Sequence, residues 1–362
     1  MMSAECQDDA IDERLEFQTK EDLRRRRYDL SAWNDVEHWF SSSGSTGAPV
    51  LYPWTSADQK IADATVLRAH AGLAPMPGAT GLVIAPTGLP GMWHHMTRQL
   101  RSLGLATALP GTVPEHVFNL IEQLLPRVLI SLPLVLSRLG ELHARSGRNP
   151  MTGGFLFSGG DVLSLARQRR IEAMWGASVK NFYGLSEVFG PLASQQEDSG
   201  ALAWHAEEVS VEILDPLSAE PVAPGETGVA VLTTLWDRPA SLTRYWTGDC
   251  FRLLEWLAAG RPLFEMRGRE TVRLPALKAE WFPVDVDQAV LSDPAAGNEW
   301  TVRATADEVL LIVECASGVE ALDPRTLSAV DAMFDCPVRW RATELGSIDR
   351  FVPKLAVTRE QQ

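Results

Sequence analysis

The sequence predicts an α/β protein in two parts: a large N-terminal unit of parallel-type α/β layers plus a β-rich subdomain over residues 1–268, then a small α+β unit over residues 269–362. Three observations carry this. Short apolar runs alternate with helically spaced segments over residues 61–183, which is the pattern of βαβ units. The texture changes near Trp204 to short β-rich runs broken by turns such as Pro224-Gly225-Glu226. Beyond Gly268 a strand, helix and strand follow within a hundred residues.

In order, residues 82–85, 106–109, 128–131, 155–157 and 179–182 have buried-strand length and composition. Between them, residues 92–103, 115–125, 134–146 and 163–175 place apolar side chains at helical spacing. Residues 209–214 and 229–235 read as strands of the β-rich part, residues 309–314 as a strand and 324–334 as a helix of the last unit. No internal repeat or low-complexity tract interrupts the order.

Composition narrows the function classes. The 362 residues are 45% hydrophobic and 22% charged, enough for a sizeable core. A net charge of −14 argues against a nucleic-acid partner, since phosphate binding needs a basic surface. The basic run Arg24 to Arg27 follows Thr19-Lys20-Glu21-Asp22 in a helix-start pattern and reads as a solvated helix face. Cys6, Cys250, Cys315 and Cys336 form no close pair, so neither a disulfide framework nor a zinc site is expected. The greasiest stretch, residues 120–139, is broken by Glu122, Arg127 and Pro133, short of the roughly 20 apolar residues a membrane helix needs. The acidic start, with Glu5, Asp8, Asp9, Asp12 and Glu13, has no apolar signal region, and a cytoplasmic location without membrane partner is expected.

Three segments carry chemistry. Ser41 to Pro49, with Ser43, Gly44, Ser45, Thr46 and Gly47 at its centre, is a hydroxyl- and glycine-dense loop suited to phosphate, because glycines let backbone N–H groups turn onto an anion. It lacks the GK[ST] ending of a Walker loop, and alone it reads equally as a flexible linker. Asn181-Phe182-Tyr183-Gly184-Leu185-Ser186-Glu187 follows a strand, where open α/β sheets bind ligands; the plainer reading is a buried aromatic and a surface acid. Arg244-Tyr245-Trp246-Thr247-Gly248-Asp249 presents an acid on a turn, which by itself is an ordinary Asx cap.

Taken in order and spacing, these segments resemble the adenylate-forming superfamily, in its phenylacetate–coenzyme A ligase branch. Residues 17–24 resemble that branch's entry segment, Ser42 to Pro49 its phosphate loop, and Tyr183 to Pro191 its YGLSE…GP segment. Gly225-Glu226-Thr227-Gly228, Thr233-Thr234-Leu235, Arg244 to Asp249 and Gly268-Arg269 follow in family order, and Gly346 to Lys354 resembles the segment that ends in the catalytic lysine. The resemblance implies ATP- and Mg²⁺-dependent activation of a small, aromatic carboxylic acid to an acyl-adenylate, then transfer to the thiol of coenzyme A or of a carrier-protein phosphopantetheine.

It further implies that Ser43, Gly44, Ser45, Thr46 and Gly47 hold the phosphates, with Gly184 and Ser186 in the nucleotide site. Tyr183 would pack on adenine, Ser158, Gly159 and Gly160 would line the adenine and acyl pockets, and Glu187 would hold Mg²⁺. Asp249 would accept from the ribose hydroxyls beside Arg269, and Lys354 would stabilise charge between carboxylate and α-phosphate. Trp93, His94, His95 and Phe182 are candidates for the acyl pocket. In relatives the small domain, residues 269–362 here, rotates between the two steps.

The chain departs from the branch in places. Residues 270–283 replace a Ser-Asp-Asp-like hinge, Pro275 stiffens that segment, and Ala48 stands where many relatives carry lysine. An amine or hydroxyl acceptor, or a non-catalytic binding homologue, therefore stays open at this stage, and a homodimer is compatible with the class. No transition metal is assigned, because His205 and the other histidines lack a second ligand at suitable spacing.

Overall fold

The computed structural model describes residues 17–348, apart from 30, 32, 43–48, 72, 74, 85–89, 109–113, 148–150, 152, 189, 197, 198, 272, 273, 275, 305–307, 317, 319 and 320; the side chains of 90–93, 114, 115 and 304 are also outside the description. The candidate phosphate residues Ser43 to Gly47, the Trp93 side chain, Pro275 and Lys354 thus lie outside the described residues.

The chain opens with helix α1 (Lys20–Arg25), capped by Thr19 through a reciprocal bond with Asp22. Strands β1 (Val36–Ser41) and β2 (Leu51–Thr55) then pair antiparallel, with Ser41 opposite Leu51. Beyond the last pair of this ladder, Ser42 N donates to Val50 O and Val50 N to Ser42 Oγ, both 2.9 Å. Thr55 caps helix α2 (Ser56–Ala69), again in a capping box, with Asp58 as the acid.

Next comes the alternation expected from the sequence: β3 (Thr80–Ile84), α3 (Pro90–Ser102), β4 (Ala106–Ala108), α4 (Pro114–Leu124), β5 (Val128–Ser131), α5 (Pro133–Arg145), β6 (Phe155–Gly159), α6 (Leu165–Trp175) and β7 (Ser178–Tyr183). The strands pair in parallel in the order β7-β6-β5-β3-β4. Their period of two sends alternate residues to opposite faces. Leu82, Ile84, Leu129 and Leu156 pack with Ile121, Leu136, Leu139, Ile171 and Trp175 on one side, whereas Val83, Val128, Ile130 and Phe157 pack with Leu100 and Leu103 on the other.

The β-rich part is β8 (Ala193–Gln195), β9 (Leu202–Trp204), β10 (Val209–Leu214), β11 (Thr227–Thr234), β12 (Tyr245–Leu257) and β13 (Arg261–Arg269). It continues the same hydrogen-bonded sheet: β8 pairs antiparallel with β7, giving among the described residues an 11-stranded sheet in the order β10-β11-β12-β13-β9-β8-β7-β6-β5-β3-β4. The sequence shows the change of texture; the edge-to-edge continuation depends on strand pairing, which texture does not reveal.

Past residue 269, α7 (Pro283–Leu291), β14 (Ala296–Ala304), β15 (Val309–Cys315), α8 (Pro324–Ala332) and β16 (Val338–Glu344) build a three-stranded sheet with two helices. This unit shares an apolar cluster with the large unit: Leu134 of α5 and Ala166 of α6 pack with Val286, Val290, Trp300 and Leu311. A buried polar group joins the units as well. Arg167 of α6 forks onto Asp287 of α7 at 3.1 and 2.6 Å, and Asp287 also accepts from Ser164 Oγ at 2.6 Å and Trp300 Nε1 at 2.8 Å. Arg170, one turn on, donates to the carbonyls of Leu291, Asp293, Ala296 and Gly297.

Candidate active site

The end of β7 and the start of β12 bring two buried carboxylates, Glu187 and Asp249, into one polar group. Glu187 stands on a turn after Tyr183 that is tightly closed: Leu192 N donates to Tyr183 O at 2.7 Å, and a Cβ on Gly184 would collide with the carbonyl of Gly190. That approach is what the glycine permits. Asp249 follows Gly248, whose φ of +73° is a left-handed conformation inside β12, where the β11–β12 register is irregular.

Asp249 and Arg269 are directly opposed across the β12–β13 pair, so their contact follows from register. Arg269 Nε meets Asp249 Oδ1 at 2.9 Å, and the Asp249 charge raises the arginine's pKa further above its usual range. The Tyr183 hydroxyl donates to Asp249 Oδ2 at 2.9 Å. Burial first, and Asp249 second, hold that phenol well above its usual pKa, so it remains a donor. The ring is 6% exposed and enclosed edge-on by Phe251 and Phe264, with Trp204 beside it, so its hydroxyl end is what serves the polar group.

Glu187 is held by residues that the sequence analysis gave no role. The Tyr245 hydroxyl donates to Glu187 Oε1 at 3.2 Å, and burial followed by the Glu187 charge raises the pKa of both Tyr245 and Tyr52. Arg238 Nη1 donates to the Glu187 carbonyl at 3.1 Å. Arg238 is itself fully buried in a 3.0 Å ion pair with Asp58 of α2, and its guanidinium lies 5.0 Å from the Trp236 ring and 5.7 Å from Trp54. Asp58 further accepts from Trp236 Nε1, Thr55 N and Thr55 Oγ1, each at 2.9 Å. Tyr245 could have been suspected, since it lies inside the segment ending in Asp249. Asp58 and Arg238 left no signal, being 180 residues apart.

At the end of β6, Ser158, Gly159 and Gly160 sit beside β7, with Ser158 paired to Asn181 and Gly159 to Phe182. A Cβ on Gly159 would press on the Phe182 carbonyl at 3.1 Å. Ser158 Oγ and Asn181 Oδ1 are buried without a hydrogen-bond partner among the described residues.

The acyl-pocket candidates divide. Phe182 packs against Phe157 and His70. His94 and His95 instead join Phe40 near β1, where His95 also meets Trp54 edge-on and His94 Nε2 lies 3.1 Å from Gln59 Oε1. Burial lowers the pKa of both histidines, most strongly for His95, and keeps them neutral. Among the described residues there is no group of three or more His, Cys, Asp or Glu that could hold a metal ion.

Against this geometry, the family model described as "AMP-binding enzyme" matches residues 7–234, more than half of the chain. The chain belongs to that family. This AMP-binding enzyme is 29% identical over 327 residues to phenylacetate-coenzyme A ligase of Thermus thermophilus, covering 83% of this chain and 71% of the relative. It is 28% identical over 290 residues to the Escherichia coli phenylacetate-coenzyme A ligase, covering 75% and 65%. The branch expected from the motifs is thus the branch of its relatives. In fold it is similar to 2-hydroxyisobutyryl-CoA ligase in the postadenylation state (TM-score 0.74, 21% identity, 93% of this chain and 78% of that one). It is also similar to ATP-bound MatB from Rhodopseudomonas palustris (TM-score 0.60, 19% identity, 84% and 63%). Among the described residues no helix is long and apolar enough to cross a membrane.

Proposed function

We propose that this AMP-binding enzyme activates a small carboxylic acid, an aromatic one, with ATP and Mg²⁺, and passes the acyl group to the thiol of coenzyme A. The observation that carries the reading is the joined set Tyr183–Asp249–Arg269 and Tyr245–Glu187 at the end of β7, in a family member whose relatives are phenylacetate-coenzyme A ligases. Asp249, steadied by Tyr183 and Arg269, accepts from the ribose hydroxyls. Ser158 and Asn181 supply the unused buried polar atoms beside the adenine and acyl groups. Mg²⁺ on Glu187 would neutralise phosphate charge. Ser43 to Gly47 cradle the phosphates, and Lys354 balances charge between the carboxylate and the α-phosphate.

In the first step a carboxylate oxygen bonds to the α-phosphorus as the bond to the β-phosphate oxygen breaks, and pyrophosphate leaves. In the second, the thiolate sulfur bonds to the acyl carbon as the acyl–oxygen bond to AMP breaks. Neither step needs a protein nucleophile; positioning and charge balance do the catalysis. This places the protein where ATP and coenzyme A are supplied, in the cytoplasm.

Pyrophosphate release from ATP across a panel of aromatic and short aliphatic acids tests the reading, with hydroxylamine, coenzyme A and a phosphopantetheinylated carrier as parallel acceptors. Acid-dependent release that Lys354→Ala abolishes while ATP binding persists is the expected result. ATP binding without release for any acid overturns it.

A further inference from the structure

The C-terminal end of α2 lies across β7, β8 and β9 and leaves a cleft of ≈ 580 Å³ lined by Arg68, Lys180, Ser194, Gln196 and His205, with Phe182 in its wall. No carboxylate is among its lining residues as far as the described residues go. Lys180 stands inside β7, half-buried at the cleft wall. It has no hydrogen-bond or ion-pair partner among the described residues, although the chain as a whole carries a net charge of −14.

Among the described residues, the surrounding charges leave Lys180 uncompensated. At the rim, Arg68 pairs with Glu207 and Glu208, and Arg261 also reaches Glu207, so two arginines meet two glutamates. Both histidines nearby are neutral at physiological pH. Burial, then Arg68, lowers His205 to about 4, and burial, then Lys180, lowers His70 to about 4. Neutral imidazoles, a hydroxyl and an amide beside one unpaired cation form a donor-rich cleft with a single positive charge to satisfy.

The cleft is distinct from the polar group around Asp249. Lys180 and Phe182 share one face of β7, and Tyr183 points to the other, as the period of a strand requires. We propose that this cleft binds a small organic or inorganic anion bearing carboxylate or phosphate oxygens, with Lys180 as its charge partner and Ser194 and Gln196 as neutral hydrogen-bonding groups.

Calorimetric titration of the full chain, without ATP or acid substrate, tests this directly, with malonate and inorganic phosphate as separate probes. Saturable binding of at least one probe is expected, weakened about tenfold or more by Lys180→Met and retained by Lys180→Arg. The probe that binds distinguishes a carboxylate from a phosphate ligand. Binding that Lys180→Met leaves unchanged would locate the anion elsewhere, the nucleotide site included, and overturn the proposal; so would the absence of saturable binding of either probe at millimolar concentration. A parallel titration in the presence of saturating ATP and the preferred acid substrate separates the two readings: binding that persists belongs to this cleft, and probe binding that the acid competes away overturns the proposal.

Discussion

Replacing Arg238 by methionine removes one half of an ion pair in which both side chains are fully buried, and leaves Asp58 charged in the core. Breaking such a pair on one side costs about 3–5 kcal/mol. Asp58 keeps its bonds from Trp236 Nε1, Thr55 N and Thr55 Oγ1, which points to the lower end, about 3 kcal/mol. The bond lost at the Glu187 carbonyl adds about 1 kcal/mol, for about 4 kcal/mol in all. Pairing the change with Asp58→Asn removes the stranded charge, so the double variant should be more stable than Arg238→Met alone by about 1–2 kcal/mol. Urea titrations followed by tryptophan fluorescence and by far-UV circular dichroism measure both. An Arg238→Met variant within about 1 kcal/mol of the parent, or a double variant less stable than either single one, would refute the claim that this pair is a coupled buried unit.

Asp249→Asn should raise the KM for ATP about 10- to 100-fold, the value of one or two charged hydrogen bonds, in pyrophosphate-release kinetics. Tyr245→Phe removes a neutral donor from Glu187 and should raise the Mg²⁺ concentration for half-maximal rate about fivefold, with the ATP KM nearly unmoved. His70 bears on acid stability. With its pKa lowered to about 4, the unfolded chain takes up a proton below about pH 6.5 that the folded chain refuses. Stability therefore falls as pH drops from about 6.5 to about 4, by about 3 kcal/mol from this residue; His70→Gln should flatten that part of a urea-midpoint profile against pH.

The parallel layers were legible because each strand is a short apolar run and each helix repeats its apolar positions; β5 and α6 end where the sequence suggests. Asp249 and Glu187 were legible as members of ordered motifs, and Arg269 joins Asp249 through a strand register that those motifs happen to bracket. What surrounds Glu187 was not. Tyr52 comes from β2, Arg238 from the loop after β11 and Asp58 from the first turn of α2, and only the folded sheet brings these distant points together. Lys180 was hidden for a simpler reason: a lone lysine in an apolar run looks like a strand end, and its want of a partner is visible only once its neighbours are in place.

The grip of Arg167 and Arg170 on the last unit has a consequence for turnover. An arrangement in which α7 leaves α6 must give up a forked, desolvated ion pair and the four carbonyls that Arg170 holds. If that surrender costs even about 3 kcal/mol, fewer than one molecule in a hundred stands open at rest. Whatever molecule needs the open form must then bind it more than a hundredfold better than the closed one, and its apparent affinity is reduced by the same factor. Arg167 and Arg170 thus set the margin by which a ligand would have to favour separation of α7 from α6 before that arrangement could be populated.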